Sequence, residues 1–161
     1  MKSIVSGSEG ETEALARETA MGLSAGDVVY LVGDLGAGKT TFARGLAAGL
    51  GAVVSEVASP TFAILHEYAA PGGVVVMRHL DLYRLLDSAS ELEILGLPDA
   101  VAGAPVAVEW PGEAIAVALP PTLRVTIAVD SGDARRISIQ QASHSGSGRN
   151  GRSLEREDQP G

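Results

Sequence analysis

Val28-Val29-Tyr30-Leu31-Val32-Gly33-Asp34-Leu35-Gly36-Ala37-Gly38-Lys39-Thr40-Thr41 is the stretch on which the fold turns. Its first five residues form a short, nearly continuous apolar run with β-branched members, as in a strand buried on both faces. The next eight match G-x-x-x-x-G-K-[ST] in full. From Lys39 onward Phe42, Leu46 and Leu50 fall at helical spacing, and Gly51 sits where a C-terminal cap belongs. Strand, glycine turn and helix in that order predict a phosphate-binding loop. Gly33, Gly36 and Gly38 let the backbone curl with its N–H groups turned inward, and the helix N-terminus adds partial positive charge. The predicted phosphate contacts are Gly36, Ala37, Gly38, Lys39, Thr40 and Thr41. Lys39 is placed to neutralise the β and γ phosphates of a nucleotide such as ATP, Thr40 to offer its hydroxyl to magnesium (Mg2+), and Thr41 to lie near the α phosphate. The plain alternative, a glycine-rich βα turn with a solvated lysine, is disfavoured by the flanking strand and helix.

Working outward, Ser8 and Glu11 stand at capping-box spacing ahead of Leu15, Thr19 and Leu23, which predicts an amphipathic helix over 8–23. Val74-Val75-Val76-Met77 reads as a second buried strand running on towards His79-Leu80-Asp81-Leu82-Tyr83, and Pro105 to Trp110 as a third. Between them Ser88 and Glu91 predict a short helix ending near Gly96. Leu123, Val125, Ile127 and Val129 alternate, Asp130-Ser131-Gly132-Asp133 makes a turn, and Ile137 and Ile139 alternate again: a two-stranded hairpin at the edge or end of the sheet. The expected fold is α/β, a P-loop NTPase with a mainly parallel sheet flanked by helices and a C-terminal β-hairpin. Residues 1–141 are expected to form the ATPase domain. Residues 142–161, rich in Ser, Gly and charge, are expected to be a disordered tail.

At 161 residues and 45% apolar the chain suits one core and one active site. With no cysteine, disulfides and thiolate metal sites are excluded, and three scattered histidines, His66, His79 and His144, argue against a zinc cluster. No apolar run approaches the ~18 residues of a bilayer span, and Met1 to Ser6 carry no long apolar segment of a signal peptide, so a cytoplasmic protein without a membrane partner is expected. A formal charge of -8 argues against a direct grip on DNA or RNA, so any involvement with RNA would run through a partner. Acidity that merely aids solubility accounts for the same number.

A P-loop ATPase also needs carboxylates to hold the water shell of magnesium and to orient the attacking water. Asp81 and Glu109 follow predicted strands, and ligands of open parallel sheets bind beyond the C-terminal strand ends, so both can converge on the phosphates. Asp81 is the less orthodox, because Arg78 and His79 interrupt the apolar run before it; a surface turn is the alternative. Ser59-Pro60-Thr61-Phe62 is by default a turn, with Thr61 a candidate switch residue for the γ phosphate or magnesium. Trp110 fits either the core or a nucleotide or partner contact, and Tyr83 and Arg84 either the phosphates or plain solvent.

Together Gly33 to Thr41 as GDLGAGKTT, SPTF at 59–62, Tyr68, HLDLYRL at 79–85, Gly96-Leu97 and Glu109-Trp110-Pro111 resemble the TsaE family. This is the ATPase component of bacterial tRNA threonylcarbamoyladenosine synthesis, and the resemblance covers roughly residues 8–140. It implies ATP hydrolysis, weak alone and stimulated by two partners, TsaB and TsaD, with tRNA engaged only through that complex. TsaD transfers the threonylcarbamoyl group, and hydrolysis by TsaE resets the complex. By motif, Lys39, Thr40 and Thr41 would bind phosphate, Thr40 and Glu109 would hold magnesium, and Asp81 would assist metal or water. Thr61 would be the switch threonine, and Thr12 would lie near the base. The rivals are a small-molecule kinase on the same fold and a non-enzymatic nucleotide-dependent scaffold. A GTP switch would carry N-K-x-D and an ABC-type ATPase L-S-G-G-Q, and neither sequence occurs.

Overall fold

Val28–Val32 forms the central strand, four of its five residues buried, because an apolar run of this kind is stable only where both faces are covered. The computed structural model describes residues 1–54, 65–83 and 102–142. In chain order the described elements are β1 (Lys2–Ser6), α1 (Glu9–Ala20), β2 (Val28–Val32), α2 (Lys39–Gly49), β3 (Leu65–Ala69), β4 (Val75–Asp81), β5 (Val106–Glu109), α3 (Glu113–Ala118), β6 (Leu123–Val129) and β7 (Arg135–Gln141). The described strands form one seven-stranded sheet in the order β1-β7-β6-β2-β5-β4-β3. Its four middle strands, β6, β2, β5 and β4, run parallel, and the antiparallel pairings lie towards the two edges.

The sheet separates two apolar layers. On one side Val29, Leu31, Met77, Ala107, Val125 and Ile127 meet α1 and α2. On the other Val28, Tyr30, Leu80, Val106 and Val108 meet Ile115 and Leu119 of α3 and its C-terminal end, and the Tyr30 hydroxyl donates to the Leu119 carbonyl at 2.7 Å. Helices α1 and α2 approach closely along a seam of small residues. A Cβ added to Gly45 would lie 2.6 Å from Ala16 Cβ and 2.8 Å from the Glu13 carbonyl oxygen, and Gly49 meets Ala20 and Arg17 in the same way. The Arg44–Glu13 ion pair, 2.7 Å, closes the seam at the surface. The capping box is present in modified form: Ser8 Oγ accepts from Glu11 N, and the Glu11 carboxylate accepts from Gly7 N rather than from Ser8 N.

Three elements were not expected. β1 and β3 are edge strands with one buried residue each, Ser6 and Tyr68, so neither shows the alternation that marks a half-buried strand. Six-residue α3 is anchored by a single buried residue, Ile115, which leaves no periodicity to detect. The predicted hairpin is β6–β7, but the outer position belongs to β1, paired antiparallel with β7. The helix expected over 88–96, the SPTF segment with Thr61, Arg84, Gly96-Leu97 and the tail beyond Ala142 lie outside the described residues. Among the described residues no helix is long and apolar enough to cross a membrane.

Candidate functional site

At the C-terminal end of β2 the chain turns through Gly33–Gly38 into α2. The glycines act by different means. Gly36 and Gly38 have φ of +76° and +111°, a backbone region costly for any residue with a Cβ. At Gly33 the requirement is space, since a Cβ there would run into the Ile127 carbonyl oxygen of β6. Gly36, Ala37, Gly38, Lys39, Thr40 and Thr41 all line a cleft of about 630 Å³.

Lys39 is almost fully buried, at 4% exposure. Its ammonium donates to the carbonyls of Gly33 (2.8 Å) and Asp34 (2.7 Å) and sits 4.2 Å from the centre of the Trp110 ring. Burial pushes it below the ordinary lysine value, against the pull of Glu109, Asp81 and Asp34. Trp110 is half-buried in the cleft wall and packs at a 48° tilt on the exposed Tyr83, ring centroids 4.9 Å apart, so it is not a core residue. Its φ of +56° is unusual for a bulky side chain and costs on the order of 1–3 kcal/mol, strain of a kind concentrated at functional sites.

The carboxylates arrive from neighbouring parallel strands. Asp81 closes β4 and Glu109 closes β5, directly opposite each other in register and therefore on one face of the sheet. Arg78 and His79, which interrupt the apolar run, lie within β4 rather than breaking it. Two donors converge on one oxygen: Thr40 Oγ1 and His79 Nε2 each lie 2.9 Å from Glu109 Oε1. Burial pushes the Glu109 carboxyl up, but the bond and charge of His79, the Thr40 hydroxyl and Lys39 together hold it below the usual carboxylate value. Asp81 turns one oxygen to the Tyr83 amide at 3.1 Å.

A hydroxyl and two carboxylates fit magnesium, which takes hard oxygen donors, keeps several waters and completes its shell with phosphate. Among the described residues no group of three or more His, Cys, Asp or Glu is gathered to hold a metal without such help.

The opposite wall of the cleft comes from the turn after β1, the start of α1 and the β6–β7 hairpin. Because β1 runs in the same direction as β2, the turn after Ser6 brings Gly7, Ser8 and the start of α1 to the loop. Thr12 is buried and lies 2.8 Å from Ser6 Oγ, which also donates to the Ser8 carbonyl. From the start of β7, Arg135 Nε donates to the Ala37 carbonyl at 3.0 Å, tying the phosphate loop to that strand. Thus Thr12, Gly36, Ala37, Gly38, Lys39, Thr40, Thr41, Asp81 and Glu109 all line one cleft; Thr61 lies outside the described residues. Two further residues of the site, His79 and Arg135, are not marked as functional by the motifs. His79 carries a signal, since two residues before Asp81 on a strand means the same face. Arg135 has none without the β6–β7 pairing.

The model of the family described as Threonylcarbamoyl adenosine biosynthesis protein TsaE matches residues 6–137. The tRNA threonylcarbamoyladenosine biosynthesis protein TsaE of Bacillus subtilis (strain 168) is 50% identical over 101 residues, 62% of this chain and 60% of that protein. The protein of the same name from Rickettsia conorii is 36% identical over 132 residues, 82% of this chain and 74% of that one. The match thus spans about three-fifths of the Bacillus relative's length. The crystal structure of Bacillus subtilis YdiB has a TM-score of 0.66 to this fold at 34% identity, covering 88% of this chain and 86% of that chain. With the family model matched over residues 6–137, which include the phosphate loop and both carboxylates, this chain belongs to the TsaE family.

Proposed function

We propose that this protein is a magnesium-dependent ATPase of the cytoplasm that supports threonylcarbamoyladenosine modification of tRNA, hydrolysing ATP in a complex with TsaB and TsaD. The observation that carries it is the meeting of Thr40 and His79 on one oxygen of the buried Glu109, beside the phosphate loop and Lys39. A loop that bound nucleotide for structural purposes alone would have no need of a buried, ionised acid at that point.

In this reading the amides of the loop and the start of α2 bind the phosphates, and Lys39 exchanges the Gly33 and Asp34 carbonyls for phosphate oxygens. Thr40, Glu109 and Asp81 hold magnesium, which supplies charge neutralisation along the β and γ phosphates. Glu109, held ionised by its donors, is the better ligand and the poorer base. Asp81, on the adjacent strand and without that pair of donors, is the better placed to orient a water. Ser8, Thr12 and Arg135 wall the nucleoside side. The formal charge of -8 supports a role in which tRNA is held by the complex rather than by this chain.

The test is a rate measurement. The purified protein is expected to release phosphate from ATP slowly, TsaB with TsaD to raise that rate severalfold, and Lys39→Ala to remove it. An unchanged rate with both partners present would sink the proposal. Label appearing on an added acceptor instead of in free phosphate would mark a kinase, and modification that survives in a Glu109→Ala variant able to bind ATP would mark a scaffold.

A further inference from the structure

His79 sits inside β4 with 1% exposure, and its one hydrogen bond among the described residues goes through Nε2 to Glu109 Oε1. Its other ring nitrogen, Nδ1, is buried and has no hydrogen-bond partner among the described residues. For packing alone this is a poor choice: an apolar side chain of similar size would fill the same space without a buried polar atom left unpaired. What the imidazole adds over a leucine is a donor at one point in space.

The surroundings hold that donor in place. The Tyr68 ring stacks on the imidazole with centroids 6.3 Å apart and planes inclined by 23°, and His66 lies 6.3 Å away on the same edge strand. In register His79 stands opposite Ala107, whose small side chain lets Nε2 cross to Glu109, two residues further along β5. The second donor to Oε1, Thr40, is on the exposed start of α2 at the end of the phosphate loop. His79 is anchored in the sheet.

We infer that His79 is a positioning residue for Glu109: by holding Oε1 through Nε2 it sets the plane of the carboxylate and presents it to the divalent cation that accompanies the nucleotide. The inference rests on the magnesium reading proposed above. A neighbour that fixes a carboxylate ligand in this way is worth about 10-fold or more in metal affinity. It contributes nothing to contacts between the loop and a metal-free nucleotide.

The experiment titrates ADP into the full-length protein by calorimetry, with EDTA and then at stepped MgCl2. Four variants are compared: His79→Leu, His79→Asn, His79→Gln and Glu109→Gln. Metal-free ADP affinity is expected to stay within about 2-fold in the three His79 variants, since His79 touches neither the loop nor Lys39. Half-saturating Mg2+ is expected to rise about 10-fold or more in His79→Leu and His79→Asn. It should return to within about 3-fold of wild type in His79→Gln, whose amide nitrogen reaches the position of Nε2 as that of Asn does not. If His79→Leu fails to fold, the Gln and Asn variants decide alone, and equal Mg2+ requirements in those two would overturn the inference. A raised requirement in Glu109→Gln with unchanged His79 variants would overturn it while leaving the magnesium reading in place. No response of the wild type to Mg2+ would overturn both.

Discussion

At one end of the cleft Thr40, Asp81 and Glu109, with His79 behind Glu109, come from α2 and two adjacent parallel strands; at the other, Gly7, Ser8, Thr12, Asp133 and Arg135 come from the turn after β1, the start of α1 and the β6–β7 hairpin. The inner part of the first end is dry. His79 and Glu109 are 1% and 3% exposed, and the strand register leaves their relation no freedom. The second end is stitched by single polar bonds: Ser6 to Thr12, Ser6 to Ser8, and Arg135 to Ala37. Its position depends on an edge strand and on how closely α1 sits on α2. On the function proposed above, the difference divides the work: fixed charge for phosphate and metal chemistry at the strand end, adaptable contacts for the nucleoside at the turn end.

The sharpest way to break this division is Glu109→Ala. Removing a group that acts in the transition state costs on the order of 100-fold or more in rate. Here hydrolysis in the presence of partners is expected to fall by about that factor while metal-free ADP binding, read by calorimetry, stays near wild type. An equal loss of metal-free affinity would mean that the two ends are one unit.

Gly45→Ala attacks the turn end from a distance. Alanine in mid-helix gains about 1 kcal/mol by propensity, but the added methyl would lie 2.8 Å from the Glu13 carbonyl oxygen, and backbone cannot give way as a side chain can. Overpacking of this kind costs about 1–3 kcal/mol. Urea melts should show a net loss of stability, and ADP affinity should fall because α1 carries Ser8 and Thr12. A variant as stable as wild type would show that the seam is looser than the distances imply.

The two ends also differ in how far they could be read without coordinates. Glu109 ends an apolar run and Asp81 a run interrupted by Arg78 and His79, and a parallel sheet carries such strand ends to one edge, so local pattern pointed to both, less directly to Asp81. His79 was visible but misleading: it made the run before Asp81 look broken, whereas it is the buried donor to Glu109. The turn end was illegible for a different reason. Ser6 and Arg135 are opposite each other in register but far apart in the chain, and β1, exposed along most of its length, has no hydrophobic period to announce the pairing. Thr12 reached the site through family resemblance alone. Gly33 was legible as a glycine but not for its reason, which is crowding by Ile127 across the β2–β6 pairing.

Arg135→Ala should separate the ends by their metal dependence. Loss of a charged donor bound to the loop is worth about 1.5 kcal/mol, roughly 10-fold in affinity. ADP binding should weaken by that factor with and without Mg2+, unlike the effect of Glu109→Gln, which depends on the metal. Unchanged affinity in both conditions would confine Arg135 to the fold.

The smallest effect probes how dry the strand end is. Tyr68 packs on His79 with 3% exposure, and burial raises its phenol above the ordinary tyrosine value; Arg44 pulls the other way and Glu109 reinforces the rise. A group that holds its proton more tightly when folded contributes stability that is complete below its unfolded pKa, about 10, and is lost as pH climbs through the folded value. The difference in urea midpoint between wild type and Tyr68→Phe should therefore be constant from about pH 7 to pH 9 and move against the wild type above about pH 10, while other lysines and tyrosines cancel in the comparison. A difference that does not change across that range would mean that water reaches the Tyr68 hydroxyl, and the contrast between a dry strand end and a polar turn end would narrow accordingly.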